Sequence, residues 1–384
     1  MNHWVEISQA QLVANLHATR AAAGDHVDVL AVIKADAYGH DATLCAPVIA
    51  AAGVSWLGVT DAEEGAAVRT ALGENTTRIM VMSGMKAADA PMMFAHRLTP
   101  VVWTSEHIAA LEAAAQAANQ PIAVHVEVDT GMARQGAPTG IALRDLLAQL
   151  AASQWVICEG IMTHLCCSEV AGARTTATAQ QRFTEVLRDV AAAGLHPAWV
   201  HIGNSSALDE GTTMTWISEQ AGKLNARALV RTGLAVYGYC LPIEGESGHP
   251  HLQPALQHVM IWKASILNVR QIDPGTSVGY GATFTAQRKM TLALLGAGYA
   301  DGFRREASSG IGDGWVIIDG QRAPIVGRVS MNLTIVDVSA IPTVTTGTEA
   351  ILLGSGVTAE DHARWANTIP YEILCGVRGH RVLV

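Results

Sequence analysis

The sequence lacks the features that mark secreted, membrane-embedded and nucleic-acid-binding proteins. Lysine and arginine total 25 against 34 acidic residues, and the net charge of −9 argues against a nucleic-acid or anionic-membrane surface. No apolar run reaches the roughly 18 residues that a membrane helix needs. The start shows no basic segment followed by an apolar run, the mark of a secretory signal. We therefore expect a cytoplasmic protein with no membrane or nucleic-acid partner.

Cysteine is also scarce, and its six residues show no paired metal-ligand spacing. Each lies in an apolar context, and the adjacent Cys166 and Cys167 cannot share an ordinary disulfide. The residues are Cys45, Cys158, Cys166, Cys167, Cys240 and Cys375. The sequence therefore predicts buried thiols in a reducing compartment and no metal site.

What the sequence does contain is hydrophobic residues, which make up 49% of its 384 positions and allow two domains with ample core. Near-continuous apolar runs span 28–34, 55–59, 78–83, 98–103, 122–128, 155–164, 198–203 and 227–231. Such runs are typical of strands buried on both faces of a parallel sheet. Helices are predicted between them at 42–52, 61–72, 86–95, 105–119, 139–152 and 174–193. No clear helix is predicted for 204–226. Eight strands with helical crossovers predict an α/β fold, a closed (β/α)8 TIM-like barrel.

The pattern changes after residue 242. Residues 243–254 are polar and rich in glycine and proline, which predicts a linker. Short strands separated by turn signals are predicted at 257–272, 290–297, 314–318, 324–330, 333–338 and 349–353, with a helix at 358–367. We therefore predict a barrel over residues 1–242, followed by a smaller, mostly β C-terminal domain over residues 243–384.

Polar and charged residues stand where the predicted barrel strands end. In such barrels the functional groups lie at the C-terminal ends of the strands, so Lys34, Arg134, His164, His201 and Arg231 are expected at one mouth. The lysine follows an apolar stretch, and burial would lower its pKa and leave the neutral amine that Schiff-base chemistry requires. A lysine that simply extends into solvent is the structural alternative.

The loops after the seventh and eighth strands, where such barrels often bind phosphate, contain small and hydroxyl-bearing residues. They read Gly203-Asn204-Ser205-Ser206 and Thr232-Gly233-Leu234. Their backbone N–H groups and hydroxyls can surround a phosphate dianion. A phosphate site opposite a lysine of low pKa predicts pyridoxal 5'-phosphate as cofactor. A metal site at His164 and His201 has no accompanying carboxylates, and Gly296–Gly302 has the wrong spacing for a dinucleotide fingerprint.

Residues 31–40 (AVIKADAYGH) resemble the cofactor-lysine motif of the alanine racemase family. The resemblance continues, in the same order along the chain, at 129–136, 163–164, 201–205, 230–234, 278–284, 298–302, 324–331 and 371–372. It implies a barrel plus a β domain, assembled as a head-to-tail homodimer whose active sites are completed by the other subunit. It also implies interconversion of L- and D-alanine through a pyridoxal phosphate aldimine, and a supply of D-alanine for cell-wall precursors.

The same resemblance implies two catalytic bases. Lys34 would hold the cofactor and move the α-proton on one face, and Tyr280 of the other subunit would do so on the opposite face. Two bases are needed because one base alone tends to return the proton to the face from which it came.

Other roles also follow from the resemblance. Arg231 would face the pyridine nitrogen and leave it unprotonated, because a guanidinium does not release its proton. His201 would hold Arg231, and His164 would lie against the cofactor ring. Arg134 would contact the cofactor phenolate and the substrate carboxylate. The phosphate would be held by Tyr38, Asn204, Ser205, Gly233, Leu234 and Tyr371, and the substrate side of the site would include Tyr299 and Met331.

Two positions depart from the family pattern. Glu127 stands where many members have a lysine, often carbamylated, and it is a candidate to position Arg134 directly. Asn332 stands where an aspartate is usual. These changes bear on substrate range, so a broad-specificity or serine-preferring racemase is the first alternative, although the bulk of Tyr371 favours small side chains. An amino-acid decarboxylase of the same barrel type and a non-enzymatic pyridoxal phosphate carrier are further alternatives.

Overall fold

The computed structural model describes residues 2–245, 252 and 256–384. The predicted linker at 243–254 lies largely outside the described residues. The chain divides into two compact units, one of Gln11–Ala37 and Ala42–Gln257 and the other of Met1–Ala10, Tyr38–Asp41 and His258–Val384. Strand β1 (His3–Ile7) and helix α1 (Gln9–Ala23) begin the described chain. No helix among the described residues combines the length and apolar character needed to cross a membrane.

The first unit contains a closed barrel of eight parallel strands. These are β2 (Val27–Val32), β3 (Trp56–Val59), β4 (Arg78–Val81), β5 (Leu98–Val102), β6 (Ile122–Asp129), β8 (Val156–Met162), β9 (Trp199–His201) and β10 (Arg227–Thr232). The two-residue strand β7 (Ala137–Pro138) pairs with β6. The order around the barrel is β5-β4-β3-β2-β10-β9-β8-β6, and pairing of β5 with β6 closes it. The predicted (β/α)8 barrel is confirmed.

Helices connect these strands. They are α2 (Lys34–Gly39), α3 (Ala42–Ala51), α4 (Ala62–Leu72), α5 (Ala90–Ala95), α6 (Ser105–Ala118), α7 (Ile141–Ala152), α8 (Arg174–Ala192), α9 (Ser205–Glu210) and α10 (Thr212–Lys223), with 3-10 turns at Ala87–Asp89 and Leu234–Tyr237. Side-chain caps start several of them, such as Asp61, which accepts from the backbone N–H of Glu64. The segment 204–226, for which no clear helix was predicted, holds α9 and α10. Gly211, at φ 85°, separates these two short helices, so no long helical period appears.

The second unit is mostly β, as predicted. Its strands after β1 are β11 (Met260–Ile272), β12 (Ser277–Val278), β13 (Phe284–Thr285), β14 (Met290–Leu295), β15 (Trp315–Ile318), β16 (Gln321–Pro324), β17 (Thr334–Asp337), β18 (Glu349–Leu353) and β19 (His380–Leu383). Its helices are α11 (Ala359–Ala366) and α12 (Pro370–Gly376), with 3-10 turns at Tyr280–Ala282, Tyr299–Asp301 and Arg305–Ala307. The long strand β11 is central and pairs with β1, β14 and β18.

Two sequence-based boundaries differ from the structure. β1, expected within the barrel region 1–242, pairs with β11 and β19 and so belongs to the second unit. A local pattern cannot reveal pairing between segments so distant in sequence. The strand predicted at 324–330 is wrong beyond Pro324. There Gly327 has φ 74°, and a Cβ at this position would lie 2.9 Å from the carbonyl oxygen of Val278, so the chain turns instead of extending.

Candidate active site

Lys34 begins α2, two residues after the end of β2, so the strand is shorter than the predicted one that ended at this lysine. Residues 35–38 all have φ between 52° and 55°. This left-handed conformation costs an L-residue on the order of 1–2 kcal/mol. Such strain persists only where the surrounding structure imposes it, and it is concentrated at functional sites. The half-buried Lys34 therefore stands at the entrance to a strained turn.

Arg231, at the end of β10, is buried and binds both predicted histidines. Its Nη1 donates to Nδ1 of His201 at 2.9 Å, and its Nη2 donates to Nδ1 of His164 at 3.0 Å. Nη2 also donates to the backbone carbonyls of Thr163 (2.8 Å) and Ile202 (3.2 Å). No hydrogen bond within the described part of the chain uses Nε of Arg231, which leaves this donor for a ligand.

Burial keeps this group of side chains in one protonation state. It lowers the pKa of His164 to about 3, assisted by the charge of Arg231. Burial and the Arg231 charge also hold the pKa of His201 well below its usual range. The pKa of Arg231 itself is lowered by burial to about 10, so the guanidinium remains charged at neutral pH. Each ring is therefore neutral and can accept a hydrogen bond from the arginine.

These neutral rings predict a loss of stability in mild acid. The unfolded chain protonates histidine near pH 6.5, whereas the folded chain does so only at lower pH, so the unfolded state binds more protons below 6.5. The free energy of unfolding therefore has its full value, as far as these rings are concerned, above pH 6.5. It decreases as the pH falls, by up to about 1.4 kcal/mol per pH unit for each ring. We expect the free energy of unfolding in urea to decrease between pH 7.5 and pH 5.0, and the H164Q variant to show a shallower decrease. A free energy that is constant over this range would mean that the rings are charged in the folded state.

The loops after β9 and β10 meet, as the predicted phosphate site requires. The hydroxyl of Ser205 accepts from the backbone N–H of Gly233 at 3.0 Å and lies 3.2 Å from the hydroxyl of Thr232. Asn204 caps α9, its side-chain oxygen accepting from Ala207 at 3.0 Å. Leu234, in the 3-10 turn that follows, is buried.

Arg134 lies in a tight loop after β6 and is exposed. One carboxylate oxygen of Asp129 accepts from three successive backbone N–H groups, those of Gly131, Met132 and Ala133. Glu127, two residues before Asp129, makes no ion pair with Arg134. Its buried carboxylate instead accepts from the side-chain amide of Gln135 at 2.6 Å, and burial raises its pKa. In this structure Gln135, and not Arg134, is the hydrogen-bond partner of that carboxylate, and a role of Glu127 in positioning Arg134 stays a prediction.

The remaining predicted residues belong to the second unit. The rings of Tyr38 and Tyr371 lie 6.1 Å apart, and burial raises the pKa of Tyr38. Tyr280, between two glycines of positive φ, is 71% exposed. Tyr299 and Met331 stand on adjacent loops, joined by a hydrogen bond from the N–H of Tyr299 to the carbonyl of Ser330. All these residues lie in the same unit.

Asn332 contacts an acidic neighbour. Its side-chain amide donates to both carboxylate oxygens of Asp301 at 3.2 Å. Asp301 also accepts from the backbone N–H of Gly298 at 2.9 Å and lies 3.3 Å from Nε2 of His3. An aspartate at position 332 would offer no such donor and would place a second negative charge beside Asp301.

Three polar side chains on the barrel strands were missed by the sequence analysis. They are Arg78 on β4, His125 on β6 and Glu159 on β8. Arg78 donates twice to Glu159, and its guanidinium lies 4.0 Å above the ring of Trp56. The available signal was that His125 and Glu159 interrupt otherwise apolar strands, where a polar group needs a partner.

The cysteines also differ from the prediction of six buried thiols. Cys45 and Cys158 are buried, whereas Cys166 is exposed and Cys167, Cys240 and Cys375 are partly exposed. An apolar neighbourhood in sequence does not bury a residue that lies in a loop, as Cys166 does after β8. Within the described ranges, no group of three or more histidine, cysteine, aspartate or glutamate residues is arranged to hold a metal ion.

A closed barrel with a lysine, a buried arginine and two neutral histidines at its strand ends defines a barrel enzyme with a lysine-centred site. Two family models cover nearly the whole chain: alanine racemase, N-terminal domain, over residues 7–241, and alanine racemase, C-terminal domain, over residues 259–383. The chain belongs to the alanine racemase family.

Individual relatives agree with this assignment. The alanine racemase of Desulfosudis oleivorans is 33% identical over 390 residues, covering 98% of this chain and 94% of that protein. The alanine racemase structure from Streptomyces coelicolor A3(2) superposes with a TM-score of 0.88 at 32% identity and covers 100% of this chain and 98% of its own. The alanine racemase from Bartonella henselae, whose structure has covalently bound pyridoxal phosphate, gives a TM-score of 0.84 at 27% identity, with full coverage of both chains.

Proposed function

We propose that this chain interconverts L- and D-alanine with pyridoxal 5'-phosphate bound at Lys34. The observation that carries the proposal is the arrangement of Arg231 among neutral acceptors. Its two terminal nitrogens are engaged by His201, His164 and backbone carbonyls, and Nε makes no hydrogen bond among the described residues. A fixed, permanently charged donor of this kind suits an aromatic ring nitrogen that must accept a hydrogen bond without gaining a proton.

The residues present fit the cofactor. Lys34 can attach the aldehyde, and the charge of this lysine reaches His164, which we assign to the face of the cofactor ring. The phosphate is assigned to the loops of Asn204, Ser205, Gly233 and Leu234. When bound, pyridoxal phosphate supplies the conjugated system that stabilises the negative charge left when the α-proton is removed.

The protein's own task is to move one proton on either face of the substrate. We assign one face to the amine of Lys34 and the other to the phenol of Tyr280. We assign the substrate carboxylate to Arg134, and the entrance to Tyr299 and Met331. We assign Glu127 a role in positioning Arg134. Its carboxylate accepts from Gln135, and burial raises its pKa.

A homodimer with shared sites is part of the proposal. At 71% exposure Tyr280 lacks the enclosed surroundings that a catalytic base requires, and Tyr299 and Met331 are 43% and 58% exposed. Exposed apolar and aromatic side chains of this kind mark interaction surfaces. We therefore assign Tyr280 to the active site of a second copy of the chain. A cytoplasmic location and a role in supplying D-alanine for the cell wall are further parts of the proposal.

Rates on three amino acids test the substrate assignment. We expect kcat/KM for L-alanine to exceed that for L-serine by about tenfold or more, since one added hydroxyl in a small pocket changes binding by about 1–3 kcal/mol. L-lysine should react more slowly still. Chiral chromatography of the products measures all three rates. A preference for serine or lysine would overturn alanine as the main substrate, and carbon dioxide release would indicate the decarboxylase.

A further inference from the structure

A line of polar side chains leads from Arg231 through two buried histidines to a partly exposed ion pair. Nε2 of His201 lies 2.8 Å from Nδ1 of His125, and Nε2 of His125 lies 3.7 Å from a carboxylate oxygen of Glu159. Glu159 in turn accepts two hydrogen bonds from Arg78. Both imidazoles are fully buried. We refer to Arg231, His201, His125, Glu159 and Arg78 as the barrel chain.

The Arg231 end of the barrel chain determines the tautomer of both rings. Arg231 can only donate, so Nδ1 of His201 must accept, and a neutral His201 carries its proton on Nε2. That proton points to Nδ1 of His125, which must therefore accept, and His125 carries its own proton on Nε2. The proton of His125 points towards the ionised carboxylate of Glu159, which lies 3.7 Å away, beyond hydrogen-bond distance, so this last link is electrostatic and Nε2 of His125 makes no hydrogen bond among the described residues. Each N–H from Arg231 to His125 therefore points towards Glu159, and Arg78 donates to Glu159 from the other side.

Charges along the barrel chain agree with this direction. Burial lowers the pKa of His125, and its neighbour Glu159 only partly opposes this effect. Burial opposes ionisation of Glu159, but the contacts with His125 and Arg78 outweigh it and lower the pKa of Glu159 to about 2. Neutral rings therefore lie between an ionised acceptor and a charged donor.

The residues that surround His125 leave space for its imidazole ring. Gly160 lies beside His125, and a Cβ at Gly160 would lie 2.1 Å from Nδ1 of the imidazole, the atom that accepts from His201. The ring of Trp56 packs edge-on against His125 at 5.2 Å and also supports Arg78. An interior filled with apolar side chains would avoid the desolvation cost of these groups.

We propose that Glu159, whose charge favours the Nε2 proton of His125, keeps His125 in the tautomer that accepts from His201 and so holds Arg231 in the orientation that leaves its Nε for the ligand. Glu159, His125 and Arg78 are positioning residues; none of them touches the cofactor or substrate. This inference deepens the proposed racemase function and rests on it for its consequence in catalysis. The hydrogen-bond order itself does not depend on the cofactor.

The chain offers a matched control for the test. Asp28 pairs with Arg227 at 2.6 Å, and the Arg227 guanidinium lies 5.2 Å from the Trp199 ring centre. Glu159 and Asp28 are similarly exposed, at 19% and 22% of their side chains. Both carboxylates thus serve an arginine stacked on a tryptophan, but among the described contacts only Glu159 faces a histidine of the barrel chain.

The experiment compares Glu159→Gln with Asp28→Asn in protein labelled with 15N-histidine, with and without pyridoxal phosphate. A glutamine has one accepting oxygen, so its amide faces a donor on either the His125 or the Arg78 side. In the parent protein we expect both rings to be neutral and protonated on Nε2 from pH 6 to pH 8. In Glu159→Gln we expect mixed tautomers at His125, a weakened hydrogen bond between His201 and His125, and kcat lower by about tenfold, as for other residues that orient a functional group. KM for alanine should change little. Asp28→Asn should keep the tautomers and kcat of the parent.

Equal effects of the two variants on kcat, with unchanged imidazole signals, would overturn the proposal. If Glu159→Gln does not fold, the parent protein still decides, because a proton on Nδ1 or a charged ring at His201 or His125 contradicts the chain. Glu159→Asp, which keeps the charge, should retain the tautomers. Failure of the proposed function appears separately, as parent protein that binds no cofactor while its histidine signals remain as expected.

Discussion

Replacing Lys34 with alanine will abolish covalent attachment of pyridoxal phosphate and lower kcat for L-alanine by at least about 10²–10⁴-fold, the usual contribution of one general acid or base. The variant loses the amine that binds the aldehyde and the base on one face of the substrate. Racemisation is followed by chiral chromatography, and attachment by the absorbance that remains after dialysis and borohydride reduction. In the parent protein the reduced label should map to the peptide that contains Lys34.

Lys86→Ala provides the control, because Lys86 is an exposed lysine that precedes a 3-10 turn of the same unit. It should retain the label and the parent rate. Lys34→Arg, which keeps the positive charge but cannot form the imine, should behave like the alanine variant. A label on another lysine, or a Lys34→Ala protein with parent activity, would remove Lys34 from the site.

Tyr280→Phe is expected to lower kcat by about 10²–10⁴-fold in both directions, since only the hydroxyl of one proposed base is removed. The ring is 71% exposed within its own chain, so loss of the hydroxyl should leave the free energy of unfolding unchanged. The decisive measurement is hydrogen exchange in deuterium oxide. With Lys34 still present, one enantiomer of alanine should continue to exchange its α-proton without conversion to the other.

Tyr299→Phe is the matched control, as a second exposed tyrosine of the same unit. We expect it to change KM more than kcat, because we assign Tyr299 to the entrance and not to proton transfer. If Tyr280→Phe binds cofactor and racemises normally, another group supplies the second base. If it loses exchange of both enantiomers, a two-base arrangement with separate faces is excluded.

The barrel was predictable because its strands are buried on both faces. The apolar run at 122–128 corresponds to β6 at Ile122–Asp129, and the run at 227–231 to β10 at Arg227–Thr232. Pairings between segments distant in sequence were not predictable, which is why β1 and β19 were missed. Short helices such as α9 show too few turns for their period to stand out.

For the candidate site, the sequence indicated which residues lie at the strand ends but not which side chains contact each other. Lys34, His164, His201 and Arg231 follow from the rule that strand ends meet at one mouth of a barrel. The hydrogen bond between His125 and His201 could not be predicted, because it depends on which residues of non-neighbouring strands face each other across the barrel interior. The contact between Gln135 and Glu127 was not predicted for a related reason, since the loop after β6 brings Gln135 back to this carboxylate.

In the left-handed turn after Lys34, the usual order of alanine and glycine in stabilising a helix is reversed. In an ordinary helix, alanine is the most favourable residue and glycine one of the least. At Ala35 and Ala37, where φ is positive, the Cβ atom is the source of the strain, and glycine would relieve it. A stabilisation programme guided by helix propensity would keep both alanines, and one guided by backbone strain would replace them. The second choice would give a more relaxed chain beside Lys34, at the point where this structure stores strain next to the reactive amine.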